Sequence, residues 1–543
     1  MTTSPLRAPG TVMRLSRLGS LHATRLSFIP SLLRRLFGEG WEFDRPLWEI
    51  DRQGVGRALY RISRAGQSYT LVAFAHDLPP EARSDRVIAT AWDATFTLVD
   101  GTPTAADLAR LAANVPRQEA GRVSPREIVL SRANRSVRLW EEVVSALATG
   151  RQPCPEKLAE TGYLMRTTAV YGSGKFGAAD RTRLAGRPLL DGPFRAEMLA
   201  VWLIRAFTLD LVEHMARARN PAAARLAPAA RRALGVGNST GLGMAPFLVT
   251  HPALLDAWMR ARETALARVR ALPEANAWPA FRDALTQARA NADAWQSAHP
   301  YQEAKLTALR ADLALAEAAP QPTGPRPWDQ LWRWAEASLS EEGQEALLAA
   351  LLEPHGHLID DLAEQMGADE DAAFPIDGAM ACEDLQRLIG QNYAWALTPR
   401  YEGAEAARFW YVSEEKLEPR LGERATEPGA ELELPLAVGR DVARLAADLG
   451  TQRGPVAQFL LDHPEHRHAL RRVQMSAARP YAEIRDNLIG AEMMPIDLLR
   501  AKLSIFGATR FDPRSDRWLR ICLFQGAPLP EELPHARDRA LAG

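Results

Sequence analysis

The chain has 543 residues, 47% of them apolar and 24% charged, the balance of a folded protein too long for one ordinary core. Its formal net charge of -1 excludes a global electrostatic case for nucleic acid or an acidic membrane as the main partner. Cys154, Cys382 and Cys522 are too few and too scattered for a disulfide framework or a Cys-rich zinc site, which fits a reducing, cytoplasmic setting. No apolar run reaches the length of a membrane-spanning helix, so no transmembrane span is expected.

From Met1 to Gly38 there is no acidic residue, while Arg7, Arg14, Arg17, Arg25, Arg34 and Arg35 are spread among leucines and serines. Residues 1–38 therefore read as a basic leader or a docked amphipathic helix, and a partner contact through this stretch is one use of it. Ala58 to Ser63 and Ser68 to Phe74 alternate like strands around a short Arg-Ala-Gly-Gln turn and predict a β-hairpin. Thr95 to Val99 predicts a third strand, and Ala105–Ala113 and Val137–Ala148 carry helical periodicity. Helix is expected to dominate from Pro193 to Ala319. The prolines of 320–328 predict a linker, dividing a first half (39–319) from a second half (329–543). Beyond it come helices, strands at Phe409–Val412 and Glu431–Leu436, further helices, and a last strand at Trp518–Phe524.

Ala245–Arg260 aligns without gaps on Ala457–Arg472, sharing a Phe-Leu pair, a His-Pro pair and a later Ala. The shared pattern is helix, glycine stop, short helix, His-Pro restart and helix, with Thr250 and Asp462 as expected N-caps. The predicted fold class is α+β, predominantly helical, with small antiparallel strand regions and a duplicated helix-turn-helix-like unit.

Two glycine-rich segments carry the functional expectation. In Arg166–Gly177, Gly172, Ser173 and Gly174 precede Lys175, and glycines at this density let backbone amides approach an anion. Lysine occurs only at 157, 175, 305, 416 and 502, so Lys175 gains weight as an electrostatic partner or general base, with Arg166 as an anchor. The spacing is not that of a Walker loop. In Gly235–Phe247, Gly237, Asn238, Ser239, Thr240 and Gly241 offer small donors ahead of a helix, a setting suited to phosphate or carboxylate. The expected function is an enzyme acting on a small anionic metabolite; these residues name no cofactor.

Other readings are open. Gly237-Asn-Ser-Thr-Gly241 satisfies the literal pattern of a serine-hydrolase elbow at Ser239, but a helix rather than a strand is expected before it. The charged run after Phe409–Val412, including Glu414, Glu415 and Lys416, reads as a solvated loop. Val442–Phe459 has helix-turn-helix spacing for DNA with few base-reading groups. The duplicated helices also suit a non-catalytic scaffold. Glu353-Pro-His-Gly-His357 reads as a helix stop rather than a metal site, and Asp462–His468 as a cap and first turn, so no metal ligand is assigned.

Overall fold

Apolar residues recurring every second position build one large sheet, and the other described residues are mostly helical. The computed structural model describes residues 5–20, 22–83, 91–117, 124–167, 184, 186–192, 194–238, 252–295, 300–364, 374–398, 411–413, 416–420, 430–432, 434–485, 500, 503–508, 510–512 and 520–533. They divide into a sheet unit (Phe28–Ser239, Gly507–Phe511, Arg520–Gly543) and a helical unit (Met1–Ser27, Thr240–Phe506, Asp512–Leu519). The segment 320–328 lies within the helical unit, between the helices Pro300–Ala318 and Pro327–Ser338.

The strands in chain order are β1 (Glu42–Ile50), β2 (Gly56–Arg64), β3 (Gln67–Ala75), β4 (Ala94–Asp100), β5 (Glu127–Arg135), β6 (Tyr163–Thr167) and β7 (Gly235–Asn238). Next come β8 (Tyr411–Ser413), β9 (Lys416–Arg420) and β10 (Ala430–Leu432), then β11 (Arg510–Asp512) and β12 (Arg520–Leu523). Strands β10, β8 and β9 form a separate three-stranded sheet in the helical unit. The run Lys416–Arg420, expected as a charged loop, is therefore a strand.

Among the described residues the large sheet has nine strands in the order β1-β2-β3-β4-β5-β6-β7-β12-β11, more strand than the small regions expected. Strands β1 to β6 pair antiparallel in succession, β7 joins β6 in parallel, and β12 pairs antiparallel with β7. Pro46 sits in the edge strand β1 at an irregularity between Asp44 and Leu47, where a missing amide donor is tolerated. One sheet face is covered at one end by helix α1 (Ala105–Asn114), whose Leu111 packs with Leu59, Val72, Phe74, Val99 and Leu130. A reciprocal capping box between Thr104 and Asp107 starts that helix. The other face is covered by helix α2 (Arg195–Arg219), whose Phe207 meets Phe96 and Tyr60 edge-on at 5.4 and 6.2 Å.

In the helical unit, helix α3 (Pro252–Arg270) buries Leu254, Leu255, Trp258, Ala265, Leu266 and Val269, a helical stripe wide enough to face a core. Helix α4 (Glu341–Leu352) starts at Ser340, whose hydroxyl accepts from the Gly343 amide at 3.1 Å, and is buried from Glu342 to its end. Burial at that depth forces its charges into pairs. Arg7 forks onto Glu263 through two bonds of 2.8 Å and reaches Glu345 at 2.9 Å. Arg262 touches both Glu263 and Glu345 at 3.2 Å, and Arg17 reaches Glu345 at 3.2 Å. Burial alone would lower the Arg7 pKa, yet Glu345 and Glu263 outweigh it and hold the guanidinium above its ordinary value. Val12, Met13 and Leu18 are fully buried, so the described part of the basic N-terminal stretch before Phe28 packs within this unit.

A further set of helices in the helical unit consists of α5 (Cys382–Asn392), α6 (Leu434–Leu449), α7 (Val456–Asp462) and α8 (Arg467–Ala478). Leu385, Ile389, Val442, Leu445, Leu449, Val456, Phe459, Leu470 and Val473 share one apolar cluster. Gly450, at φ +43°, turns the chain out of α6. Asp462 closes α7 rather than capping the next helix, and the expected cap Thr250 lies outside the described residues. The two aligned stretches are also entered differently, since α6 leads to the second and β7 to the first. A duplicated unit is not established by these elements.

Replacing Arg7 with alanine leaves Glu263 and Glu345 short of a buried partner, and such losses cost about 3–5 kcal/mol. Denaturant unfolding of Arg7→Ala should show a correspondingly lower midpoint for the helical unit. A pH effect arises from His355, which burial against Trp328 pulls down to about 4 from an ordinary 6.5, with His357 adding to the shift. A folded-state pKa below the unfolded one means that the unfolded chain takes up the proton first. Thermal stability should therefore fall as pH drops from about 6.5 toward 4, and His355→Phe should flatten that part of the profile.

Candidate functional site

The site is built around the parallel pair β6–β7. Parallel neighbours need a crossover, and α2 lies in the connection and packs on the sheet. Strand β7 fits its slot only because two of its residues lack side chains. A Cβ on Gly235 would lie 2.3 Å from the Leu523 carbonyl, and one on Gly237 would lie 2.6 Å from the Tyr163 ring. The entrance to β7 is fastened by Arg205 of α2. Its guanidinium is buried and donates to the carbonyls of Leu234 (2.6 Å), Ala527 (2.9 Å), Arg231 and Arg232 (both 3.2 Å). With backbone carbonyls rather than a carboxylate around it, burial pulls the Arg205 pKa down to about 10.

Register decides which side chains share a face. Thr95 opposes Arg132, Thr97 opposes Leu130, and Asn134 opposes Arg166, so these residues form one wall on the α1 side of the sheet. His76 extends it through a 3.2 Å contact between its Nε2 and Thr95 Oγ1. Burial pushes the His76 pKa down, against the opposing pull of Asp93. Thr95, Thr97, Asn134 and Arg166 are all buried. The Arg132 guanidinium lies 3.9 Å from the Trp92 ring centroid, and burial lowers its pKa to about 10. Thr97 Oγ1 and Asn134 Nδ2 have no hydrogen-bond partner among the described residues, which is costly for buried polar atoms.

Asp93 ties this wall together. It is fully buried, accepts from Arg83 Nε at 2.9 Å and from the Arg135 amide at 3.0 Å. Its own amide donates to Asn134 Oδ1 at 3.1 Å and its carbonyl accepts from the His76 amide at 2.9 Å. One residue thus joins the ends of β3, β4 and β5 and turns Asn134 so that its amide nitrogen is left for other use. Arg135 stacks over Trp140 at 4.8 Å, and burial lowers its pKa despite the nearby Asp93. Chemically, the wall is rich in donors and poor in acceptors, which suits an anion with several oxygens.

The structure brings some of the sequence candidates together. Arg166 and Gly237 oppose each other across β6 and β7, and Asn238 Nδ2 reaches the Thr167 carbonyl at 3.5 Å. Gly172, Ser173, Gly174, Lys175, Ser239, Thr240 and Gly241 lie outside the described residues. The expectation that a helix leads directly into Gly237–Gly241 is overturned. The helix Pro228–Ala233 ends short of Gly235, and Leu234 passes the chain into β7. Residues missed in the sequence are Asp93, Thr97 and Asn134. Asn134 sits in the polar run Ser131–Arg135 and Thr97 alternates with apolar neighbours in Thr95–Val99, patterns that usually mark a solvated face.

The weaker metal stretch is resolved by its neighbours. His355 is buried against Trp328, Asp360 accepts from Arg25 at 2.8 Å, and Asp361 accepts from Arg268 at 2.7 Å, so these donors serve packing and ion pairs. Comparisons with family models, curated proteins and solved structures find no match to this chain.

Gly237→Ala should destabilise the sheet unit by about 1–3 kcal/mol, the usual range for overpacking. The cost should shrink when Tyr163→Leu is added, because the Tyr163 ring is what the new methyl would meet. Urea midpoints of the single and double variants check both statements.

Proposed function

We propose that the protein is an enzyme acting on a small anionic metabolite, a phosphate ester or a carboxylate, held beside the carboxyl ends of β6 and β7. The observation that carries this reading is the parallel pairing of those strands. Thr167 and Asn238 end side by side, and the sequence continues from each directly into a glycine-rich segment. Ligands of open sheets collect outside the carboxyl ends of parallel strands, where backbone amides point outward. In this reading, amides of Gly172, Ser173, Gly174 and Gly241, with the side chains of Asn238, Ser239 and Thr240, bind the oxygens of the anion. Arg166 and Arg132 supply positive charge, and Lys175 acts as electrostatic partner or general base. The donor-rich wall supports the same chemistry, because Thr97 Oγ1 and Asn134 Nδ2, without a described partner, sit on the strand pair next to β6.

A thermal-shift screen of the full chain against phosphorylated and carboxylated metabolites tests it, since a ligand that binds only the folded state raises apparent stability. At about 100 times its Kd, a ligand should add roughly 2.7 kcal/mol to the wild type. Arg166→Met and Lys175→Met should each abolish most of the shift, while the exposed-surface control Arg453→Ala should keep it. No shift from any member of the panel, or equal shifts in all variants, overturns the reading. Labelling of Ser239 by a fluorophosphonate would replace it with a hydrolase, since β7 supplies the strand that a serine elbow needs before its nucleophile.

A further inference from the structure

A second chemistry sits in the helical unit, at the corner where α6, α7 and α8 meet. Asp448 lies in the last turn of α6, and His463, Glu465 and His466 occupy the link between α7 and α8. One donor atom from each of these four side chains lies within 4.8 Å of every other. We propose that this corner is a binding site for a divalent transition-metal ion of the zinc class, held by two imidazole nitrogens and two carboxylate oxygens.

The local backbone explains why the donors converge. Pro464 opens a single 3-10 turn, Pro464–His466, with His463 as the residue before it. The His466 amide closes the turn on the His463 carbonyl at 3.2 Å, and the two imidazoles lie with ring centroids 6.1 Å apart. Phe459 of α7 backs both rings, at 4.9 Å from His463 and 5.8 Å from His466. Rotation of the imidazoles is thereby limited, which is the support a first shell of ligands needs. His466 Nε2 stands 2.7 Å from Asp448 Oδ2, and His463 Nδ1 stands 3.4 Å from Glu465 Oε1.

Zinc takes four N, O or S donors in a tetrahedron at about 2.0–2.2 Å, which spaces the donors roughly 3.4 Å apart. The observed separations straddle that value, so side-chain rotation without backbone movement closes the shell. Two carboxylates bring negative charge that a dication neutralises. His466 is buried while Asp448 and Glu465 are exposed, so an ion can enter from solvent and finish against the aromatic floor. The donor set is of nitrogen and oxygen without thiolate, which selects borderline divalent ions over copper(I) or iron–sulfur clusters. Four protein ligands leave no open position, so the ion acts as a staple between the end of α6 and the start of α8. Ordinary His–carboxylate ion pairing is the competing account, and it predicts no metal stoichiometry.

The experiment uses the full chain, stripped with a chelator and titrated with zinc(II) alone by calorimetry, with cobalt(II) as a spectroscopic probe. One equivalent of zinc should bind, the melting temperature should rise by several degrees, and cobalt(II) should give the visible absorption of a tetrahedral site. His463→Gln and Glu465→Gln, both at solvent-accessible positions and therefore safe for folding, should each weaken zinc binding at least tenfold. His357→Gln, a histidine outside the corner, should leave it unchanged. Zinc binding that survives both corner substitutions, or the absence of a bound equivalent in the wild type, overturns the site. Circular dichroism of each variant separates loss of a ligand from loss of the fold.

Discussion

The candidate site depends on a steric constraint at two positions of β7. Gly235 and Gly237 allow a short strand to enter between β6 and β12, where any side chain would strike the Leu523 carbonyl or the Tyr163 ring. Without that insertion the antiparallel β1–β6 array would end at β6, and the parallel pairing would not exist. Parallel pairing matters because it sends two chain segments off the same edge of the sheet. Glycine in a strand interior usually weakens it. Here Arg205 offsets the cost by binding the carbonyl at the entrance to β7 and those of the preceding helical turn. The residues that make the strand intrinsically poor are the ones that make its position unique.

Buried charge is handled by arginine in both units, and the geometry of the side chain explains the preference. Arg7 makes four bonds to two carboxylates from one planar group, and Arg205 reaches several carbonyls that face different ways. An ammonium would concentrate its charge on one atom and could not fork between them. Scarcity of lysine is thus consistent with how the interior is satisfied. The pair of Lys157 with Glu142, at 2.9 Å, is on the surface. A lysine placed in a glycine-rich segment departs from this pattern, which is why Lys175 carries weight in the proposed chemistry.

Much of the fold was legible where a single period dominates. The β2–β3 hairpin, β4, α1 and β12 follow from alternation or helical spacing, and α+β is the class they define. What could not be read is where the sheet closes. Strand β6 has five residues and opens the glycine-rich segment, so its first half looks like the end of a helix and its second like a loop. Strand β7 has four residues, two of them glycine, and comes after an Ala/Arg-rich helix with one residue between them. Neither carries a period long enough to measure, and only pairing with each other makes them strands. Arg166 and Gly237 stand out by their chemistry and turn out to be register partners. Asp93 and Asn134 were invisible because their meaning lies in bonds between the ends of three strands.

The change of character along one sheet face gives the strongest physical reason to look for a ligand there. Under α1 the face is apolar, with Leu59, Val72, Phe74, Val99 and Leu130 packed on Leu111. Within two residues along the strands it becomes Thr97, Thr95, Arg132, Asn134 and Arg166. Nothing in strand geometry requires that switch, because valine and isoleucine suit these positions better. The polar choice costs desolvation at every buried donor, and at Thr97 and Asn134 no described partner offsets it. Asp93 uses two of its bonds to hold Asn134 and Arg135 in place rather than to neutralise a single cation. The polarity of this wall costs desolvation, and a buried aspartate orients Asn134 within it. In the proposed reading, an anion would complete its donors.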